Sequence, residues 1–299
     1  MTTTPRVRNG AQPNARAVDD VRTYYDRNTA RFERFGQGRG TGAIHRSVRA
    51  EPGDEDPSPF RTLERMILKE LARLDSKLGK IHVLDLGCGV GASMIYLASH
   101  APVALTGVTL SGLQAARANE RIAASGLGDR VRCLQGSYLE LPESLPVAAL
   151  AYSIEAFIHG PDPARFFAAA ARHIAPGGQL LIFDDFLGPR AEGALSSGEE
   201  RVLRDVRDGW LANTLITPAR ANELAALAGF EPTRNVDLTP RLELGRPRDH
   251  AIRWLVAFGR HLPLHGYRFR ALLGGDALQR GLQTGLLEFR CLGWRRAAA

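Results

Sequence analysis

The residues best spaced for chemistry lie between His82 and Met94, in HVLDLGCGVGASM. Apolar Val83, Leu84 and Leu86 surround an acid, Asp85, and glycines follow at every second position: Gly87, Gly89 and Gly91, with Cys88 between the first two. The pattern predicts a buried strand, a tight turn and the start of a helix. Glycines let a backbone approach a nucleoside-type ligand closely, and a helix N-terminus offers it unpaired N–H groups. The spacing G-x-G-x-G after an acid differs from the G-x-G-x-x-G of dinucleotide sites. A strand-to-helix turn with no ligand has the same composition, so the surrounding elements must decide.

Those elements alternate. Ala104–Val108 reads as a strand, followed by a helix capped by Ser111. RVRCLQGSYLELP gives a third strand and loop, AALAYSIEAFIHG a fourth strand running into Glu155. PDPARFFAAAARHIAPGGQLLIFDDFL gives a helix, a Pro176-Gly177-Gly178 turn and a fifth strand over Gln179–Phe183. Strands alternating with helices predict a parallel sheet covered on both faces, with ligands at the carboxyl ends of the strands. Asp85, Thr109, Ser137, Glu155 and Asp184 all fall at such ends. TPARANELAALAGF predicts a helix with Thr217 as N-cap and Pro218 in its first turn. Sixth and seventh strands are expected near Pro232–Leu238 and Leu286–Trp294. The expected fold is therefore α/β: a seven-stranded, mostly parallel sheet with helices on both faces.

Four segments resemble a known family. The glycine turn resembles motif I of class I S-adenosylmethionine (SAM)-dependent methyltransferases. GVTLSGLQ, Gly107 to Gln114, resembles the GVTLSxxQ form of cyclopropane synthases and of sterol and prenyl C-methyltransferases. YSIEAFIHGPDP and YYDRNTARFERFGQG, starting at Tyr152 and Tyr24, resemble the YAIEATCHAP and YYDxxTxFYExGWG elements of sterol methyltransferases; Gln37 stands in place of the Trp of GWG. The resemblance implies a Rossmann-like core at 80–188, a helical lid at 21–79, a disordered tail at 1–20, and a C-terminal half at 189–299 with a substrate cap near 239–284. It implies SAM as cofactor and S-adenosylhomocysteine as product, held by Tyr25, Asp85, Gly87, Cys88, Gly89, Gly91, Thr109, Leu110, Gln114, Ser137, Tyr138 and Ser153. Glu155, His159 and Tyr24 are the expected catalytic residues. Phe157, Phe186, Trp210, His45 and Arg46 are expected at the substrate.

A carboxylate at Glu155, following a buried strand, would be partly desolvated and so suited to take a proton near neutral pH. The implied reaction is methylation of a prenyl or terpenoid double bond, the resulting cation being quenched by Glu155 or by cyclisation. A prenyl diphosphate acceptor would be gripped by arginines such as Arg46, with a divalent metal only in that case. An O- or N-methyltransferase of a polyketide or aromatic molecule is the alternative, with Glu155 or His159 as base. Glu155 as a helix cap, His159 as a packing residue and Gln114 as a solvated helix residue are the structural alternatives.

The chain has 299 residues and a formal charge of +7, its bases nearly all arginine. The arginines are spread along the whole length, whereas nucleic-acid binding would favour a focused patch with aromatics. No stretch approaches the roughly 18 apolar residues of a membrane span, so a cytoplasmic protein and small-molecule acceptor are expected. Cys88, Cys133 and Cys291 show neither metal nor disulfide spacing, and no protein-bound metal is expected. A homo-oligomer remains open.

Overall fold

The computed structural model describes residues 13–35, 42, 45–51, 53, 58–74, 81–259 and 267–298. Seven strands form one sheet: β1 His82–Leu86, β2 Ala104–Thr109, β3 Val131–Gln135, β4 Ala148–Ile154, β5 Ile174–Leu187, β6 Phe230–Asp237 and β7 Leu287–Arg296. Their order is β3-β2-β1-β4-β5-β7-β6. All neighbours are parallel except β7, which runs antiparallel to both β5 and β6. The chain reverses direction between β1 and β4, which opens a crevice at the carboxyl ends of those strands.

The burial pattern explains why the strands read as apolar runs. All five residues of β1 are buried, as expected for a strand covered on both faces. Alternate residues supply two cores: Val83, Leu150, Tyr152 and Phe183 on one face, Leu84, Ala151 and Ile182 on the other. On the second face Phe157, Phe166, Phe167, Phe186 and Trp294 pack ring against ring, with Phe157–Phe166 centroids 4.9 Å apart.

Helices α3 Ala92–His100, α4 Gly112–Ala124, α5 Pro163–His173 and α7 Pro218–Leu227 join the strands. Their starts follow local chemistry. Ser111, Asp162 and Thr217 cap α4, α5 and α7 with their side-chain oxygens, and prolines occupy the first positions of α5 and α7. α6 Ser197–Trp210 begins with a capping box between Ser196 and Glu199.

Two layers lie outside this core. α1 Pro13–Phe35 and α2 Thr62–Leu71 precede the sheet; α8 Pro247–Gly259 and α9 Tyr267–Thr284 stand between β6 and β7. Residues 1–12, 36–41 and the Gln37 position lie outside the described residues. The helix nonetheless starts at Pro13, inside the segment expected to be a disordered tail, because no breaker follows that proline until Gly36. The Pro176-Gly177-Gly178 turn is also shorter than expected: Gly177 takes φ 78° and the chain stays in β5, pairing Ala148 with Ile174 across a register shift.

Candidate active site

A cavity of about 840 Å³ opens at the carboxyl ends of β1, β2 and β4. The core contributes the loop after β1, the β2–α4 turn, Gly136–Leu139 and Ile154–Ala156. α1 supplies Val18, Val21, Tyr24 and Tyr25; α8 and α9 supply Ile252, Leu272 and Leu278 among others. The volume falls at the upper end of ordinary small-molecule sites.

The glycine turn shapes one wall. Gly87, Cys88 and Gly89 line the cavity, and Gly87, Gly89 and Gly91 all have positive φ, which glycine adopts without steric cost. Gly87 also has a packing reason: a Cβ there would overlap the Ala156 Cβ in the loop after β4. Gly91 does not line the cavity. It is the left-handed N-cap of α3, 3.1 Å at its would-be Cβ from Ala118. Asp85 lines the wall while 3% exposed, and burial pushes its carboxyl up to about 7, the adjoining Tyr152 hydroxyl offsetting part of that rise.

The β2–α4 turn brings Thr109, Leu110, Ser111 and Gln114 to the cavity. Gln114 is 3% exposed. Its Oε1 accepts from Thr109 Oγ1 at 2.8 Å and its Nε2 donates to Thr29 Oγ1 of α1 at 3.1 Å. One end of the amide thus holds the end of β2 and the other α1, with Gln114 still on the cavity wall. Ser111 adds a hydrogen bond to Asp26. Ser137 and Tyr138 also line the cavity; the Tyr138 hydroxyl donates to Ala156 O at 3.1 Å. Ser153 lies elsewhere: it is fully buried and donates to Leu86 O at 3.0 Å, joining β4 to β1.

Glu155 follows β4 with φ 48°, an uncommon backbone state for a residue other than glycine. Its amide donates to Phe183 O at 2.9 Å. The carboxylate is held by a cation that the sequence reading did not pair with it. Arg46 donates to Glu155 Oε1 twice, from its backbone N at 2.9 Å and from Nε at 3.0 Å. The same guanidinium reaches Asp185 with Nη1 and Nη2, at 2.9 and 2.7 Å, and lies 4.6 Å over the Phe289 ring. Burial opposes the Arg46 charge, but Asp185 and Glu155 raise its pKa above the usual arginine value. Arg46 lines the cavity, yet its fork is committed to protein carboxylates, which corrects the expectation that it grips a diphosphate. His45 is likewise occupied. It bonds Glu64 at 3.1 Å; burial lowers its pKa but Glu64 more than reverses this, to about 9.

His159 and Tyr25 form a second polar pair. His159 Nδ1 lies 3.1 Å from Leu211 O and Nε2 lies 2.9 Å from the Tyr25 hydroxyl. A carbonyl only accepts, so Nδ1 carries the proton and a neutral His159 accepts from Tyr25 through Nε2. Burial lowers the His159 pKa and favours that neutral form.

Two expected substrate residues are core instead. Phe157 and Phe186 are 1% and 0% exposed and stack on each other, 6.0 Å between centroids, on the far face of the sheet. Asp184 at the end of β5 is also fully buried, accepting from the Ile158 and Asp185 amides and so fixing the turn that follows Glu155. Tyr24 and Trp210 do line the cavity. Sequence reasoning missed Asp185 and the cap residues Arg248, Asp249, Ile252, Leu272, Asp276 and Gln279. For Asp185 there was a signal: strand alternation sets it on the opposite face from Asp184. Among the described residues no group of three or more His, Cys, Asp or Glu side chains is placed to hold a metal ion.

The glycine turn, the buried Asp85 and a cavity of this size fit a nucleoside-bearing cofactor with room for an acceptor. Residues 83–178 match a family model described as a methyltransferase domain. O-methyltransferase rstn1 of Aspergillus nomiae is 31% identical over 59% of this chain and 74% of its own length. 24-methylenesterol C-methyltransferase 3 of Arabidopsis thaliana is 28% identical over 90% of this chain and 76% of its own. The chain spans about half the length of other curated relatives, 52% and 56% in two of them. A solved geranyl diphosphate methyltransferase, in complex with GPP and sinefungin, superposes with TM-score 0.70 at 19% identity, covering 94% of this chain and 100% of that one. The matched domain contains β1, its glycine turn and the β2–α4 turn, the segments that build the cofactor wall of the cavity. The chain belongs to the class I SAM-dependent methyltransferases and, within them, resembles the sterol and prenyl C-methyltransferase group.

Proposed function

We propose that this enzyme methylates a double-bond carbon of an apolar acceptor of prenyl or terpenoid type, with Glu155 taking the proton. SAM, when bound, supplies the methyl group from its sulfonium. Asp85, the Gly87–Gly89 backbone, Thr109, Leu110 and Ser137 are the residues to hold it. The observation that carries the reading is the Glu155 carboxylate on the wall of a largely apolar cavity, with Oε1 fixed by Arg46 and Oε2 left without a bond from the described residues.

An alkene is a weak nucleophile, so positioning matters first. Val18, Val21, Ile252, Leu272 and Leu278 offer an apolar bed for the acceptor. Bond formation between the methyl and one alkene carbon leaves a cation on the other. The rings of Tyr24 and Trp210 stabilise it, by about 0.5–2 kcal/mol each. Glu155 then removes a neighbouring proton and a new double bond forms; where a second double bond lies near, it captures the cation instead, closing a ring whose new cation loses its proton to Glu155. Arg46 is committed to Glu155 and Asp185, so the acceptor is proposed as a prenylated molecule without a free diphosphate.

The Tyr25–His159 pair favours one second reading, O- or N-methylation. There an acceptor hydroxyl or amine loses its proton to Tyr25 as Tyr25 passes its own to His159 Nε2. Mass and NMR analysis of products from SAM with prenylated acceptors decides between them. A new C–CH3 group is expected, with Glu155→Gln lowering turnover by about 10²-fold or more. A methyl ether or N-methyl product, or undiminished Glu155→Gln turnover, would sink the first reading.

A further inference from the structure

We propose that α8 seats the enzyme on an anionic lipid surface, from which the apolar acceptor enters the cavity. Six large apolar side chains are exposed among the described residues, and three of them share α8: Trp254 at 78%, Leu255 at 62% and Phe258 at 72%. At 100° per residue they occupy an arc of about 100° on one side of the helix. The opposite side is buried: Val256 is 2% exposed, and Ile252 faces the cavity. A single helix is thus the cavity's wall on one side and an uncovered aromatic face on the other.

Charge selects the occupant. From Arg246 to Arg270 the sequence carries six arginines and one acid, Asp249. On α8 itself Arg248 borders the apolar arc beside Leu255, while Arg253, on the other side, is engaged with Asp276 and Gln283. A helix with Trp, Leu and Phe on one face and an arginine beside them is built to lie in the headgroup region of a bilayer. Anionic lipids attract such a basic segment within about a Debye length. The contact proposed is a surface one, made by a helix of 13 residues. It rests on the apolar-acceptor reading for its purpose, but its test does not.

The full chain is floated with vesicles of phosphatidylcholine alone or mixed with phosphatidylglycerol. Wild type is expected to float with the anionic vesicles and to release at high salt, with a blue shift in tryptophan emission. Trp254→Ser combined with Phe258→Ser is expected to weaken partitioning at least about tenfold. Unchanged calorimetric binding of S-adenosylhomocysteine by that variant shows an intact fold. No flotation by wild type, or flotation that the double variant retains, would overturn the proposal. So would a wild-type dimer that the double variant dissolves, since the face then belongs to a second copy. Because vesicle binding is read without turnover, failure of docking and failure of the acceptor reading are separable.

Discussion

Arg46 holds two carboxylates with one guanidinium, and its replacement reports on both. Asp185 is 1% exposed, and Glu155 owes its orientation to the same fork. Removing one partner of a buried pair leaves an uncompensated charge, at about 3–5 kcal/mol. Arg46→Met is therefore expected to lower the urea midpoint sharply. Arg46→Lys recovers part of that stability but cannot serve both carboxylates in the planar geometry. Its turnover should stay low while S-adenosylhomocysteine affinity is near wild type; full activity in Arg46→Lys would remove the positioning role. Asp85 gives a pH signature. Its folded pKa, raised by burial to about 7, lies above the ordinary carboxylate value. The empty site is thus favoured with Asp85 protonated, and ionising it costs stability as pH rises toward 7. A ligand ammonium selects the ionised form. Affinity for S-adenosylhomocysteine should climb by up to about tenfold per pH unit below 7 and level off above it. Asp85→Asn should bind weakly with a flat profile, and calorimetry across this range checks both.

At the scale of elements, α1 is fastened beside the cavity by polar contacts. Thr29 meets Gln114, Asp26 meets Ser111 and Tyr25 meets His159. A neutral hydrogen bond of this kind contributes about 1 kcal/mol. A double-mutant cycle of Thr29→Val and Gln114→Ala, scored by limited proteolysis of α1, should show a coupling near that size. Zero coupling would mean that the Thr29–Gln114 bond does not help hold α1, leaving that to Tyr25, Asp26 and the apolar packing of Val21 and Tyr24. The same elements show what could be read in advance. β1 to β5 were legible because buried parallel strands are continuous apolar runs, and Ser111 and Thr217 announced the helices they cap. Tyr25, Asp85, Thr109 and Glu155 were legible as cavity residues because they sit at strand ends or in the lid motif. Phe157 and Phe186 were misplaced, since residue type does not say which side of a sheet a ring enters. Arg46 was misassigned because its two partners come from β4 and β5, more than a hundred residues away. The cap residues were silent: their place is set by how α8 and α9 pack, not by a local pattern.

At the scale of the whole molecule, the cavity is the gap between a cofactor-binding sheet and a cap, and the cap's height is set at one crossing. Gly209 of α6 and Gly274 of α9 meet backbone to backbone. A Cβ on Gly209 would stand 2.6 Å from Arg270 O and from Gly274 N, and a Cβ on Gly274 would overlap the Gly209 backbone. Neither neighbour can yield, because both are main chain within helices. α9 carries Ala271, Leu272, Gly275 and Leu278 into the cavity, so lifting it moves the acceptor wall and leaves the glycine turn of β1 in place. Helix axes brought this close by small residues separate when a methyl intervenes, and overpacking of this kind costs about 1–3 kcal/mol. Gly274→Ala should therefore raise the acceptor KM severalfold and lower thermal stability, while S-adenosylhomocysteine binding stays near wild type. Gly198→Ala, in the first turn of α6 with only Ser196 Oγ near its Cβ, is the control that adds the same methyl away from both the crossing and the cavity. If the two variants behave alike, or if cofactor affinity falls with the acceptor's, the cap and the cofactor wall are one rigid unit and the division of labour across the cavity fails.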